Sequence, residues 1–253
     1  MSTEARTAVD GALTARTAEL SENLAGLLAR IDAACRAAGR APGSVRLLPV
    51  TKFFPASDVA ILHRLGRREF GESREQEAAA KVADLREQDL SGIRWHMIGR
   101  LQRNKARAVA RWAHTVHSVD SERLATALDA GAVAALEAGE RTEPLRVLLQ
   151  VSLDDDPARG GVTASDLPAL AERIANAPGL RLSGLMAIPP LGAPVDAAFA
   201  RLATLHTLLV ADHPDATELS AGMSGDLECA IEHGSTVVRV GTALMGMRPI
   251  TSG

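Results

Sequence analysis

Val45-Arg46-Leu47-Leu48-Pro49-Val50-Thr51-Lys52-Phe53-Phe54-Pro55 is a short, largely apolar run that gives out in a lysine and a proline turn. Behind it, Ser57–Leu65 spaces its apolar residues as a helix does, and Arg68–Gly71 returns to a compact, strand-like run. Strand, helix and strand in so few residues imply two parallel strands joined by a right-handed crossover.

The alternation continues outward. Strand patterns recur at Arg94–Ile98, Thr115–Val119, Leu145–Val151, Leu180–Ile188, Thr217–Ser220 and Val237–Val240. Helix patterns fill the gaps at Arg74–Leu85, Leu101–Trp112, Ser121–Leu136, Ala164–Ala175, Val195–Leu209 and Ser224–His233. Upstream, Leu20, Leu24, Leu27, Leu28, Ile31 and Cys35 form the apolar stripe of a leading helix that stops at Gly39 and Pro42. Eight such strands predict closure into an α/β fold, a single (β/α)8 TIM-type barrel with an extra N-terminal helix. The expected organisation is one domain over 1–253, with the leading helix in 1–40 and the barrel in 45–248.

Composition agrees. The chain has 253 residues, 46% of them hydrophobic, which suits one barrel of about 250 residues that needs no disulfide or structural metal. A net charge of −3 gives no drive toward nucleic acid or anionic membrane. Arg100, Arg103, Lys105, Arg107 and Arg111 form the densest basic stretch, and Arg100, Arg103 and Arg107 would share a solvated helix face. Cys35 and Cys229 lie far apart, with no His or Cys beside them at the usual zinc-ligand spacings, so disulfide and zinc readings are poorly supported. Each is expected as a small buried hydrophobe. Neither a secretory signal nor a membrane-spanning run is evident, and a cytoplasmic location is expected.

In such a barrel the chemistry sits where strands end and loops lead into helices. Lys52, Glu72, Gly99, Asp120, Asp154, Pro189, Gly222 to Ser224, and Gly241-Thr242 stand there. An amine among Val50, Phe53 and Phe54 loses hydration of its charged form and becomes nucleophilic, which suits imine formation with an aldehyde. The plainer reading is a lysine whose stem packs and whose head reaches water. Ser220-Ala221-Gly222-Met223-Ser224-Gly225-Asp226 offers glycines for close backbone approach to an anion, and Ser224 serves either as a helix cap or as a phosphate ligand. Arg239, on a valine-rich and therefore buried strand, needs a partner, and a structural ion pair is one candidate. Gly241 and Thr242 follow, where phosphate sites often lie. No GxxxxGK[ST], GxGxxG or HExxH pattern occurs.

Six ordered blocks carry a resemblance. They are Pro49-Val50-Thr51-Lys52; Phe70-Gly71-Glu72; Trp95-His96-Met97-Ile98-Gly99 with Leu101-Gln102 and Asn104-Lys105; Gly184-Leu185-Met186-Ala187-Ile188; Gly222-Met223-Ser224 with Asp226; and Gly234-Ser235-Thr236 running into Val238-Arg239-Val240-Gly241-Thr242. Together they resemble the pyridoxal phosphate homeostasis protein family, whose fold is that of the N-terminal barrel of alanine racemase. The resemblance implies pyridoxal 5′-phosphate (PLP) bound as a Schiff base on Lys52. It implies phosphate contacts from Ser224, Gly241 and Thr242, Arg239 facing the pyridine nitrogen, and His96, Asn104 and Met186 lining the pocket. Two positions depart from the family pattern. Ser73 stands where the family reads asparagine, and with Gln76 it makes a capping-box pattern. Arg159 stands where the family has lysine.

The function implied is non-catalytic holding and delivery of intracellular PLP. Its partners would be PLP itself and apo forms of PLP-dependent enzymes, with no nucleic acid or membrane, in a monomer or weak dimer. The alternatives are a PLP-dependent amino-acid racemase and a cofactor-free Schiff-base aldolase. Alanine racemases place a tyrosine from a C-terminal domain on the second face of the substrate. This chain has no tyrosine, and its end at Gly253 is expected to leave no room for that domain.

Overall fold

The computed structural model describes residues 3–154, 156 and 160–247. Among the described residues there are eight strands and nine helices. The strands are β1 (Arg46–Pro49), β2 (Glu69–Glu72), β3 (Arg94–Met97), β4 (Ala113–Val119), β5 (Leu145–Gln150), β6 (Leu180–Met186), β7 (Glu218–Ser220) and β8 (Val237–Val240). The helices are α1 (Thr3–Ala37), α2 (Ala56–Arg64), α3 (Glu75–Glu87), α4 (Ala106–Trp112), α5 (Glu122–Glu137), α6 (Leu167–Ala175), α7 (Val195–Asp212), α8 (Leu227–Glu232) and α9 (Thr242–Met245). All ladders are parallel, in the order β1-β8-β7-β6-β5-β4-β3-β2. β1 and β2 meet through the Val50–Gly71 bridge and a Thr51 N–H···O=C Gly71 bond of 3.0 Å. The sheet is thus a nearly closed TIM-type barrel with an N-terminal helix, as the alternation predicts.

Two local expectations fail. The helix pattern Leu101–Trp112 is broken, because Gln102 is extended (φ −75°, ψ 140°) and Arg103–Lys105 make only a 3-10 turn before α4. Leu101 is buried beneath that break, and Arg100 and Arg103 therefore do not share a helix face with Arg107. A short helix, α9, follows β8 where the sequence patterns assign no element.

The hydrophobic core lies between sheet and helices, in two clusters around Val116, Leu149 and Phe199 on one side and Leu20, Ile61 and Phe70 on the other. The barrel interior is more polar. The registered pairs Leu48–Arg239, Gly71–His96, Met186–Ser220 and Gly184–Glu218 each put both partners on one face of the sheet. At the N-terminal ends of the strands, Arg46 bridges Glu69 (3.1 Å) and Glu218 (2.9 Å), Arg94 meets Glu69 (3.0 Å), and Arg146 pairs with Glu218. That charged ring closes the end of the barrel where function does not sit. Among the described residues, no helix is long and apolar enough to cross a membrane.

Candidate functional site

Lys52 follows β1 at the C-terminal mouth, half-buried, its Nζ 5.8 Å from the centre of the Phe53 ring. The peptides on either side of it are pinned. Thr51 donates its hydroxyl to Glu72 Oε1 (2.6 Å), and its carbonyl accepts from Lys81 Nζ (2.8 Å). The Phe53 N–H donates to Glu77 Oε1 (2.5 Å), and Lys81 also holds both carboxylates at 2.8 Å. Phe53 takes φ +70°, a left-handed conformation that costs a bulky residue about 1–3 kcal/mol. Burial pushes the Glu72 carboxyl up against the opposing pull of Lys81 and Thr51. This network therefore fixes geometry at some cost in solvation. The signal for it was in the sequence: Glu77 and Lys81 are four apart on α3, and Glu72 ends the strand before it.

The opposite rim is built from loops. Val50 N–H donates to the Val240 carbonyl (2.9 Å), and a side chain at Gly241 would stand 3.5 Å from the Val50 carbonyl. The β8–α9 turn thus lies against Val50, two residues before Lys52. Across that turn, the Ala243 N–H donates to Ser224 Oγ at 3.3 Å. Ser224 is not the cap of α8. Asp226 takes that position, and its carboxylate accepts from the Met223 N–H (2.6 Å). Gly222 is obligatory where it stands, with φ +90° and a hypothetical Cβ 2.7 Å from the Ala230 methyl. Both loops are held from outside by α1. Arg30 donates to the Ser224 carbonyl (2.9 Å) and pairs with Glu228, while Asn23 donates to the Leu244 carbonyl (3.0 Å) and Arg16 to that of Met245 (3.0 Å).

Between the rims, the barrel interior carries a line of hydrogen bonds. Arg239, 4% exposed, donates through Nη1 to the Ser220 carbonyl (2.6 Å) and to Ser220 Oγ (2.8 Å), and through Nη2 to the Ala187 carbonyl (3.0 Å). No carboxylate pairs with it among the described residues, so the structural ion pair is not what satisfies it. Burial brings its pKa down to about 10, which leaves it charged at neutral pH. Ser220 Oγ lies 3.0 Å from His117 Nδ1, and His117 Nε2 lies 2.9 Å from His96 Nδ1. Burial, and then neighbouring cationic groups, hold both imidazoles well below their usual range, so both are neutral. One proton assignment runs in a single direction along this line. Arg239 donates to Ser220, Ser220 to His117, and His117 to His96, which leaves a proton on His96 Nε2. That atom is buried without a hydrogen-bond partner. The barrel therefore holds an unspent polar group, the kind a bound ligand satisfies. His117 and Ser220 were not singled out in the sequence, though each is a polar residue in an apolar strand.

Comparison with known proteins identifies the family. The profile of "Alanine racemase, N-terminal domain" matches residues 23–249. The pyridoxal phosphate homeostasis protein of Mycobacterium tuberculosis is 55% identical over 248 residues, covering 94% of this chain and 96% of that one. Its Escherichia coli namesake is 39% identical over 233 residues, covering 91% and 97%. The chain belongs to the pyridoxal phosphate homeostasis protein family. Among solved structures, PipY of Synechococcus elongatus, determined with PLP bound, superposes with a TM-score of 0.76 at 38% identity, covering 90% of this chain and all (100%) of that one.

The remaining expected positions divide. Met186 is buried and in register with Ser220, on the interior face with Arg239 and His96. Asn104 is exposed in the 3-10 turn after β3. Its neighbours Arg103 and Lys105, with Arg74, Arg100, Arg123 and Ser73, line a cavity of about 1090 Å³ beside the lysine loop. Arg74, which lines that cavity, also lies over the Phe53 ring at 4.7 Å, the ring whose centre is 5.8 Å from Lys52 Nζ. Ser73 does not cap α3, whose cap position is Arg74 with no side-chain bond. Instead its backbone packs against Gly99, where a Cβ would sit 2.2 Å from the Ser73 carbonyl. Arg159 lies outside the described residues. Cys35 is buried as expected, whereas Cys229 is only half-buried, at the outer edge between α7 and α8.

Proposed function

We propose that this member of the pyridoxal phosphate homeostasis family binds PLP as a Schiff base on Lys52, and holds and delivers it within the cell. Ser224, Gly241 and Thr242 would hold the phosphate, with the neighbouring Ala243 amide beside them. Arg239 would face the pyridine nitrogen, and His96 and Met186 would line the pocket, with Asn104 at its outer margin. Bound PLP supplies a reactive aldehyde and an aromatic ring that withdraws electrons. The protein's residues supply placement: a lysine between two anchored peptides, an anion cradle across the mouth, and a neutral donor at His96 Nε2. The observation that carries the reading is this juxtaposition of Lys52 with the Ser224–Ala243 contact, through Val50 and Gly241.

The reading is of a carrier. Racemisation needs an acid–base group on each face of the bound amino acid. Lys52 supplies one, and the chain has no tyrosine to supply the other. A charged Arg239 against the ring nitrogen also disfavours protonation there and weakens the ring as an electron sink. The test follows α-proton exchange and loss of optical rotation for alanine, serine and glutamate with PLP-saturated protein. The expected result is no turnover at enzyme rates; about 1 per second or faster makes the protein a racemase.

A further inference from the structure

Outside the barrel mouth, α7 and α8 bring a thiol, an imidazole and a carboxylate together. Cys229 and His233 lie one turn apart at the end of α8, and Asp196 comes from the first turn of α7. The Cys229 thiol, a His233 ring nitrogen and an Asp196 carboxylate oxygen all lie within 4.8 Å of one another. His233 Nε2 already touches Asp196 Oδ1 at 2.8 Å, and Asp196, 79% exposed, is free to swing. Tetrahedral zinc, with bonds of about 2.3 Å to sulfur and about 2.0–2.2 Å to nitrogen and oxygen, wants its ligands roughly 3.3–3.7 Å apart. Small side-chain rotations reach that.

The geometry points to a transition-metal site at Asp196, Cys229 and His233, for Zn²⁺ or a divalent ion of similar preference, with water in the fourth position. The ligand set selects the class. Thiolate and imidazole favour zinc or cobalt, and magnesium or calcium would take oxygen ligands alone. Burial first, and then Asp196, Glu232 and Asp226, push the Cys229 thiol up, and the same three carboxylates make the surroundings suit a cation. On binding, the Cys229 S–H bond breaks, an S–metal bond forms, and the proton leaves to solvent. At His233 the metal takes the place of the Nε2 hydrogen bond to Asp196, and the ring carries its proton on Nδ1 after exchange through solvent. The expectation that neither cysteine has a His or Cys at ligand spacing fails here, since Cys229 and His233 are four residues apart, and the third ligand arrives only with the fold. Its effect is a clamp between α7 and α8, just behind the loop that carries Ser224.

The test is a titration of untagged, reduced, full-length protein with cobalt(II) chloride. One equivalent should bind and give a thiolate-to-cobalt charge-transfer band, displaced by one equivalent of zinc. Cys229→Ser should abolish the band and Cys35→Ser should leave it intact. His233→Gln and Asp196→Asn should each weaken binding by about tenfold or more. Melting curves report whether each variant is folded. Should Cys229→Ser not fold, the two outer variants carry the test. Absence of the band in wild type, its persistence in folded Cys229→Ser, or unchanged affinity in His233→Gln would overturn the site.

Discussion

The two rims of the barrel mouth are held in opposite ways. The lysine rim is fixed from beneath by charge: Glu72, fully buried, and Lys81, 6% exposed, grip Thr51 before Lys52, and Glu77, itself paired with Lys81, accepts from the Phe53 N–H after it. The cradle rim is made of neutral groups, backbone amides and hydroxyls, and is held from outside by a surface helix through Arg30, Asn23 and Arg16. A group that forms a covalent bond must be aimed, and buried ion pairs aim well because they have few other arrangements. A cradle for a dianion gains from adapting as the ligand enters, and solvated contacts at its edge allow that. The contrast is one of rigidity against adjustability, and it makes the two rims fail differently.

The largest effect is expected at Lys81. Lys81→Met leaves Glu72 buried without its cation and should cost about 3–5 kcal/mol in urea unfolding. The double variant Glu72→Met with Lys81→Met should recover most of that stability. It should not restore the rate of PLP capture by Lys52, because the Thr51 carbonyl still lacks its donor. Full recovery of both would reduce the network to a stabilising ion pair with no part in aiming the lysine.

Next come the cradle groups. Ser224→Ala and Thr242→Val each remove a donor to a charged oxygen, worth about 1.5–3 kcal/mol when desolvated. PLP affinity by equilibrium titration should fall roughly tenfold to a hundredfold in each. Pyridoxal, lacking the phosphate, should be indifferent to both changes. A loss of pyridoxal binding of the same size would place these residues elsewhere in the pocket.

The smallest effect should come from Arg30→Ala. Its ion pair with Glu228 is 37% and 49% exposed, so stability should drop by no more than about 1 kcal/mol. The drop should shrink with added salt, whereas the Lys81 effect should not. Equal salt sensitivity at the two rims would erase the contrast between them.

Much of this was legible in the chain. Strand–helix alternation identifies the barrel because each crossover must bury one face against the sheet, and the apolar spacing records that. Lys52 and the Gly222–Ser224 loop show because they sit at strand ends where an amine or an open glycine turn has no packing reason. The Arg239–Ser220–His117–His96 line does not show, since it joins four strands whose register only the closed sheet decides. The 3-10 turn at Arg103–Lys105 escaped because Leu101-Gln102 keep a helical apolar rhythm while tertiary packing extends them.

The central claim is that Lys52 is the group that holds PLP. Wild-type protein is saturated with PLP, reduced with borohydride, and digested for peptide mass analysis alongside Lys52→Ala. The account predicts a visible band in wild type that borohydride abolishes, with the cofactor's mass on the peptide containing Lys52. It predicts neither band nor adduct in a Lys52→Ala protein that melts as a folded protein. A stoichiometric adduct on another lysine of the same mouth, Lys81 or Lys105, in wild type or in the variant, would contradict it.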